Sequence, residues 1–182
     1  MPLPPAAPRQ HRHTREVTYR GYQRDDGLWD IEGELRDTKP QGLEIPGERV
    51  WAPGEPIHHM HIRVTVDTRM VIQAVAVDMD AWPHGTCPQA IAPMQAFVGL
   101  TLGRGWRKAI QQHLGGTQGC THLRELLFNL ATAAFQTMPA PSTVLDGVAQ
   151  PPMHLGQCLT WDFNSPLVER VYPVFFRWPD KA

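Results

Sequence analysis

The sequence predicts an α+β protein: antiparallel β-hairpins packed against about three helices. Two stretches alternate apolar and polar residues around turn signals, as half-buried strands do. After Met79 the apolar spacing lengthens towards the helical period, and the later segments keep it. Of the 182 residues, 42% are hydrophobic and 19% charged, an ordinary globular balance that supplies enough apolar mass for a core. The sequence suggests a flexible arm over 1–12 and a single α+β domain over 13–182.

The elements follow in order. Prolines in MPLPPAAPRQ favour an extended arm, and Arg9, His11, Arg12, His13, Arg15 and Arg20 make its surroundings basic. VTYRGYQRDDGLWDIEGELRDTK reads as a hairpin turning at Asp26-Gly27. Trp29, Ile31, Gly33 and Leu35 share one strand face; Asp30, Glu32 and Glu34 share the other, whose plain reading is a solvated surface. From Gln41 to Pro56, glycine and proline indicate a loop. A second hairpin runs from His58 to Val66, turns near Asp67-Thr68 and returns over Val71 to Met79. Alternation sets His58 in phase with Met60, Ile62, Val64 and Val66, whereas His59 and His61 lie on the opposite face.

A first helix is expected near Pro88, shortened or kinked by Pro93. A second spans about Gly105 to Leu114 and stops at Gly115-Gly116. The third, about Thr121 to Met138, carries the apolar stripe Leu123, Leu126, Leu127, Leu130, Ala131, Ala134 and Phe135. Pro139, Pro141 and Pro151-Pro152 bracket a linker. A C-terminal hairpin over about 157–178 is then expected, with strands near Cys158 to Trp161 and Val168 to Phe176.

A formal charge of −1 argues against nucleic acid as partner. No apolar run is long enough to cross a bilayer, and the first residues lack the apolar stretch of a secretory signal, so no membrane partner and a cytoplasmic address are expected. Three widely spaced cysteines do not form a disulfide framework. P-loop, GxGxxG and GxSxG patterns are absent.

The chemistry-bearing residues are Cys87 and Cys120, each at the expected start of a helix, and the histidines of GEPIHHMHIRVTVD. A helix N-terminus favours thiolate, the metal-binding and nucleophilic form of cysteine. Either cysteine alone would more often be a small buried apolar residue. Together with His58 on the core-facing phase they form a candidate metal site of His58, Cys87 and Cys120, with His122, His59 or water as fourth ligand. Such donors suit zinc, iron or an iron–sulfur cluster. Cys158, without a helix-start signal, is assigned to structure. The site suggests a metal- or cluster-binding protein. A metalloenzyme acting on a small organic substrate is the rival, with Asp30, Glu32 or His59 as candidate acid/base groups. A structural protein with inert cysteines is the third class. A Cys120 thiol paired with His122 or His58 is a further nucleophile–base possibility.

The motifs HxR at His13, RDDGLWDIEGELRDTKP, GEPIHHMHIRVTVD, CPQA, LGRGW and GGTQGCTHLREL together resemble a bacterial family catalogued as a domain of unknown function. His59 departs from that pattern, standing where aspartate is expected. A remoter resemblance, over about Gly54 to Met138, is to NifU/IscU-type iron–sulfur scaffold proteins. GEPIH is similar to the scaffold's Gly-x-Pro-x-Cys segment with His58 replacing cysteine; Cys87 and Cys120 fall at its second and third cysteines, and Met60 takes the place of its aspartate. The resemblance implies a scaffold-like core over 54–138 and metal ligation by His58, Cys87 and Cys120.

Overall fold

In a computed structural model, residues 3–138, 150–152 and 154–177 are described. The chain divides into two compact units, Met1–Met138 and Pro139–Ala182, where the sequence suggests one domain. Residues 3–13 form no regular element and are exposed.

The first unit contains the α+β architecture. Strands β1 (Thr14–Gln23), β2 (Trp29–Thr38), β5 (Pro56–Val66) and β6 (Ile72–Ala81) form one antiparallel sheet in the order β1-β2-β5-β6. Two short strands, β3 (Leu43–Glu44) and β4 (Val50–Trp51), make a separate ribbon in the loop between β2 and β5. Because β2 pairs along its length with both β1 and β5, the sheet does not divide at Gly54, where the scaffold-like core was expected to begin.

Both hairpins turn where the sequence places them. Gly27 takes a φ of 85°, a left-handed conformation that suits glycine. At the second turn, Asp67 Oδ1 accepts from the backbone N–H of Arg69 and Val71, and Met70 follows with a φ of 64°. The expected strand faces hold as well: Trp29, Ile31, Leu35, Met60, Ile62, Val64 and Val66 are all buried.

Helices α1 (Trp106–Leu114) and α2 (Thr121–Thr137) pack on that buried side, contributing Trp106, Ile110 and Leu114, then Leu123, Leu126, Leu127, Leu130, Ala131 and Ala134 to the same core. The Trp106 indole N–H donates to the Leu127 carbonyl at 2.8 Å, fixing one helix against the other. Phe135 is the exception to the expected stripe, at 41% exposure. The helix expected near Pro88 is instead a pair of 3-10 turns, Cys87–Ala90 and Ala92–Phe97, each opened by proline. Pro93 lacks an N–H and crowds the preceding turn, so a continuous α-helix cannot pass through it without a break.

In the second unit the C-terminal hairpin expected over 157–178 does not form among the described residues. Its place is taken by a 3-10 turn (Leu159–Trp161), helix α3 (Pro166–Val171) and a second 3-10 turn (Pro173–Phe175). Ser165 caps α3 by accepting from the Val168 N–H, with Pro166 in the first turn, and both choices favour a helix start over a strand. Leu155, Val168 and Tyr172 form a small core. Residues 139–149 of the linker expected after the third helix lie outside the described residues. Among the described residues no helix is long and apolar enough to cross a membrane.

Candidate functional site

Asp37 lies near the end of β2, in phase with Trp29, Ile31 and Leu35, and is only 2% exposed. A carboxylate on the buried face of a sheet must be paired or lose its charge. Here four donors meet it. Arg15 of β1 grips it at two points, Nε to Oδ1 and Nη2 to Oδ2, both at 2.8 Å. His13 Nε2 donates to Oδ1 and His58 Nδ1 to Oδ2, both at 3.0 Å. An ionised carboxylate only accepts, which fixes the proton on each of those ring nitrogens. The HxR motif thus has a physical meaning: its histidine and arginine lie two residues apart, project to the same side, and clasp one carboxylate.

His122, in the first turn of α2, completes the group. Its Nε2 is 3.6 Å from Asp37 Oδ2, and its ring lies 3.8 Å from that of His58 with a 35° tilt. Its Nδ1 faces Cys120 Sγ at 3.7 Å. On the adjacent turn of α2, Glu125 pairs with the remaining Arg15 nitrogen. The site therefore joins β1, β2, β5 and the start of α2.

The electrostatics follow from burial. Burial, reinforced by the charge of His122, depresses the His58 pKa to about 4 despite the neighbouring carboxylate. His122 is lowered by burial and by Arg15, against the pull of Asp37. Burial opposes ionisation of Asp37, yet Arg15, with help from His58 and His122, holds its pKa below the ordinary value. At neutral pH the site is an ionised carboxylate beside two neutral imidazoles.

Asp37, His58 and His122 each offer a ligand atom, and those atoms lie within 4.8 Å of one another. A second such group, Glu34, His59 and His61, lies on the other face of the sheet. Neither contains a cysteine. Of the residues expected to bind metal, His58 and His122 come together, and Cys120 stands beside His122. Cys87 opens a 3-10 turn and packs partly buried against the core, outside both groups. Asp30 accepts from the Thr65 hydroxyl at 2.6 Å, while Glu32 lies 3.8 Å from Arg63. Both belong to the outer face, away from Asp37. Cys158 is exposed in the second unit.

Asp37 escaped sequence reasoning, although its signal was present: an aspartate continuing the parity of Trp29, Ile31 and Leu35 is a charge written into an apolar row. In the sequence Arg15 is one charge of a basic run, and the pairing of β1 with β2 brings it beside Asp37.

No curated protein and no solved structure matches the chain. A family model described as "Protein of unknown function (DUF2889)" does match, over residues 13–136, a span that begins at His13 and includes Arg15, Asp37, His58, Cys120 and His122. The chain belongs to that DUF2889 family.

Proposed function

We propose that the protein binds one divalent metal ion, zinc or ferrous iron, through Asp37, His58 and His122. The observation that carries this reading is the convergence of one carboxylate and two imidazoles from three separate elements. The separations of 3.0 and 3.6 Å from Asp37 Oδ2 suit a shared ion: ligands about 2.1 Å from a metal lie that far apart at angles of roughly 90–120°. An ion there would take the place of the His58 Nδ1 proton, the neutral ring shifting to its Nε2–H tautomer, while Arg15 keeps the carboxylate fixed. With His122 binding through Nε2, its Nδ1–H is left to donate to Cys120, so the sulfur orients the ring. This donor set, without cysteine, favours a single ion over an iron–sulfur cluster. The remote NifU/IscU likeness rests on sequence motifs alone.

One observation favours a metalloenzyme acting on a small organic substrate as the second reading. Three protein donors leave coordination positions open, as catalytic zinc and two-histidine, one-carboxylate iron sites do. Metal analysis of protein purified under nitrogen tests the first reading. Asp37→Asn and His122→Ala should each remove one equivalent of metal, whereas Cys87→Ser should not. Unchanged metal content in both folded variants would refute the assignment.

A further inference from the structure

The outer face of the sheet holds a second ionisable cluster that the site at Asp37 does not use. His59 and His61 are two residues apart on β5, so their side chains leave the same face; their rings are 4.5 Å apart. Glu34 of β2 is the cross-strand partner of His61, and its Oε1 lies 3.0 Å from His59 Nε2. The ladder between β5 and β6 is irregular here: Met60 pairs with Met79, but His59 pairs with Ala81, leaving Asp80 as the extra residue of a bulge. The bulge brings the Asp80 carboxylate against both rings, 2.9 Å from His61 Nε2 and 3.3 Å from His59 Nδ1.

Solvated sheet faces often carry salt-bridge lattices, and this one does, with Arg20–Glu34 at 3.4 Å and Arg36–Glu16 at 3.4 Å. The histidine pair differs from that lattice. Arg20 engages Glu34 Oε2 and leaves Oε1 to His59, so one oxygen and two imidazoles face each other with ligand atoms within 4.8 Å. His59 has its Nε2 turned towards Glu34 and its Nδ1 towards a carboxylate, as metal-binding histidines hold their second nitrogen. The cluster is also accessible. His59 and Asp80 border a groove of about 480 Å³ that includes Trp51, Trp82 and His84.

We infer that Glu34, His59 and His61 form a second, surface binding site for a zinc-class divalent cation, with Asp80 as the carboxylate that holds His61 by its Nε2 and faces His59 Nδ1. Imidazole and carboxylate donors suit such ions, and three protein ligands leave room for water or an exogenous ligand. This site lies on the opposite face of the sheet from the Asp37 group and is independent of it.

Zinc titration of the full chain, followed by calorimetry and metal analysis, tests the inference. His59→Ala/His61→Ala should lose one zinc equivalent relative to the parent. Asp80→Asn should weaken binding at the same site by about 10- to 100-fold. In an Asp37→Asn/His122→Ala background, the outer equivalent should survive; in the His59→Ala/His61→Ala background, the inner one should. Circular dichroism checks that each variant is folded. Should any fail to fold, nitrogen-15 NMR of the histidine rings in the native protein gives the same answer, because zinc should shift His59 Nε2 and a His61 ring nitrogen. Unchanged zinc content in folded His59→Ala/His61→Ala protein, or unmoved His59 and His61 rings at saturating zinc, would overturn it.

Discussion

Replacing Arg15 by alanine isolates the electrostatic hinge of the inner site. Arg15→Ala leaves Asp37, 2% exposed, with only histidine donors to answer its charge. Breaking a buried ion pair from one side costs about 3–5 kcal/mol, because the survivor keeps its desolvation penalty. Arg15 itself retains 31% side-chain exposure and His13 and His58 still donate, so the lower end, about 3 kcal/mol, is expected. At roughly 2–4 °C per kcal/mol for a unit of this size, the melting temperature falls by about 6–12 °C. The assay is thermal and urea unfolding of Arg15→Ala, Asp37→Ala and the double variant. The two single losses should overlap by on the order of 2 kcal/mol, since each removes the same pair. The pH response supplies the sign. A carboxyl held low contributes stability above its unfolded pKa and loses it as pH falls through the folded value. Without Arg15, burial pushes that carboxyl up, so the variant's deficit is greatest near neutrality and shrinks in acid. A loss below about 1 kcal/mol, the range of exposed pairs, or strictly additive losses, would refute the reasoning.

Two further outcomes concern the same unit. Metal-free protein should lose stability as pH falls from 6.5 towards about 4, because unfolded His58 takes up a proton before the folded one does. The full effect is on the order of 3 kcal/mol, and His58→Gln should flatten the profile of urea midpoints against pH over that window. At Gly21, an added Cβ would fall 1.8 Å from Thr137 Oγ1. Gly21→Ala should therefore cost about 1–3 kcal/mol in urea unfolding, with Thr137→Ala restoring part of the loss.

Much of the first unit was legible because its strands alternate strictly. The parity of Trp29, Ile31 and Leu35, and of Met60, Ile62, Val64 and Val66, marks the buried side in the sequence itself and places His58 on it. The stripe of α2 was equally plain up to Ala134, failing at Phe135 where the helix approaches its end. The inner site was only half legible. Its histidines could be placed by phase, but Asp37 needs Arg15, which precedes the stretch 17–39 that reads as a hairpin and is opposite Asp37 only because β1 starts earlier, at Thr14. The helix start expected at Cys87 is not there because Pro88 and Pro93 divide the segment into 3-10 turns. At the C-terminus, aromatic and branched residues imitated strands, while Ser165-Pro166 carried the stronger instruction to begin a helix.

Neighbouring histidines on β5 leave the strand in opposite directions, one towards α2 and one towards β6's bulged edge. The sheet is therefore a thin partition whose two chemistries are encoded one position apart. A single-step slip of β5 against β2 would trade His58 for His59 opposite Asp37 and turn Met60, Ile62 and Val64 out to solvent. Any ancestor or variant that lengthens the loop before Pro56 must absorb the extra residue there, because the strand itself has no freedom to move.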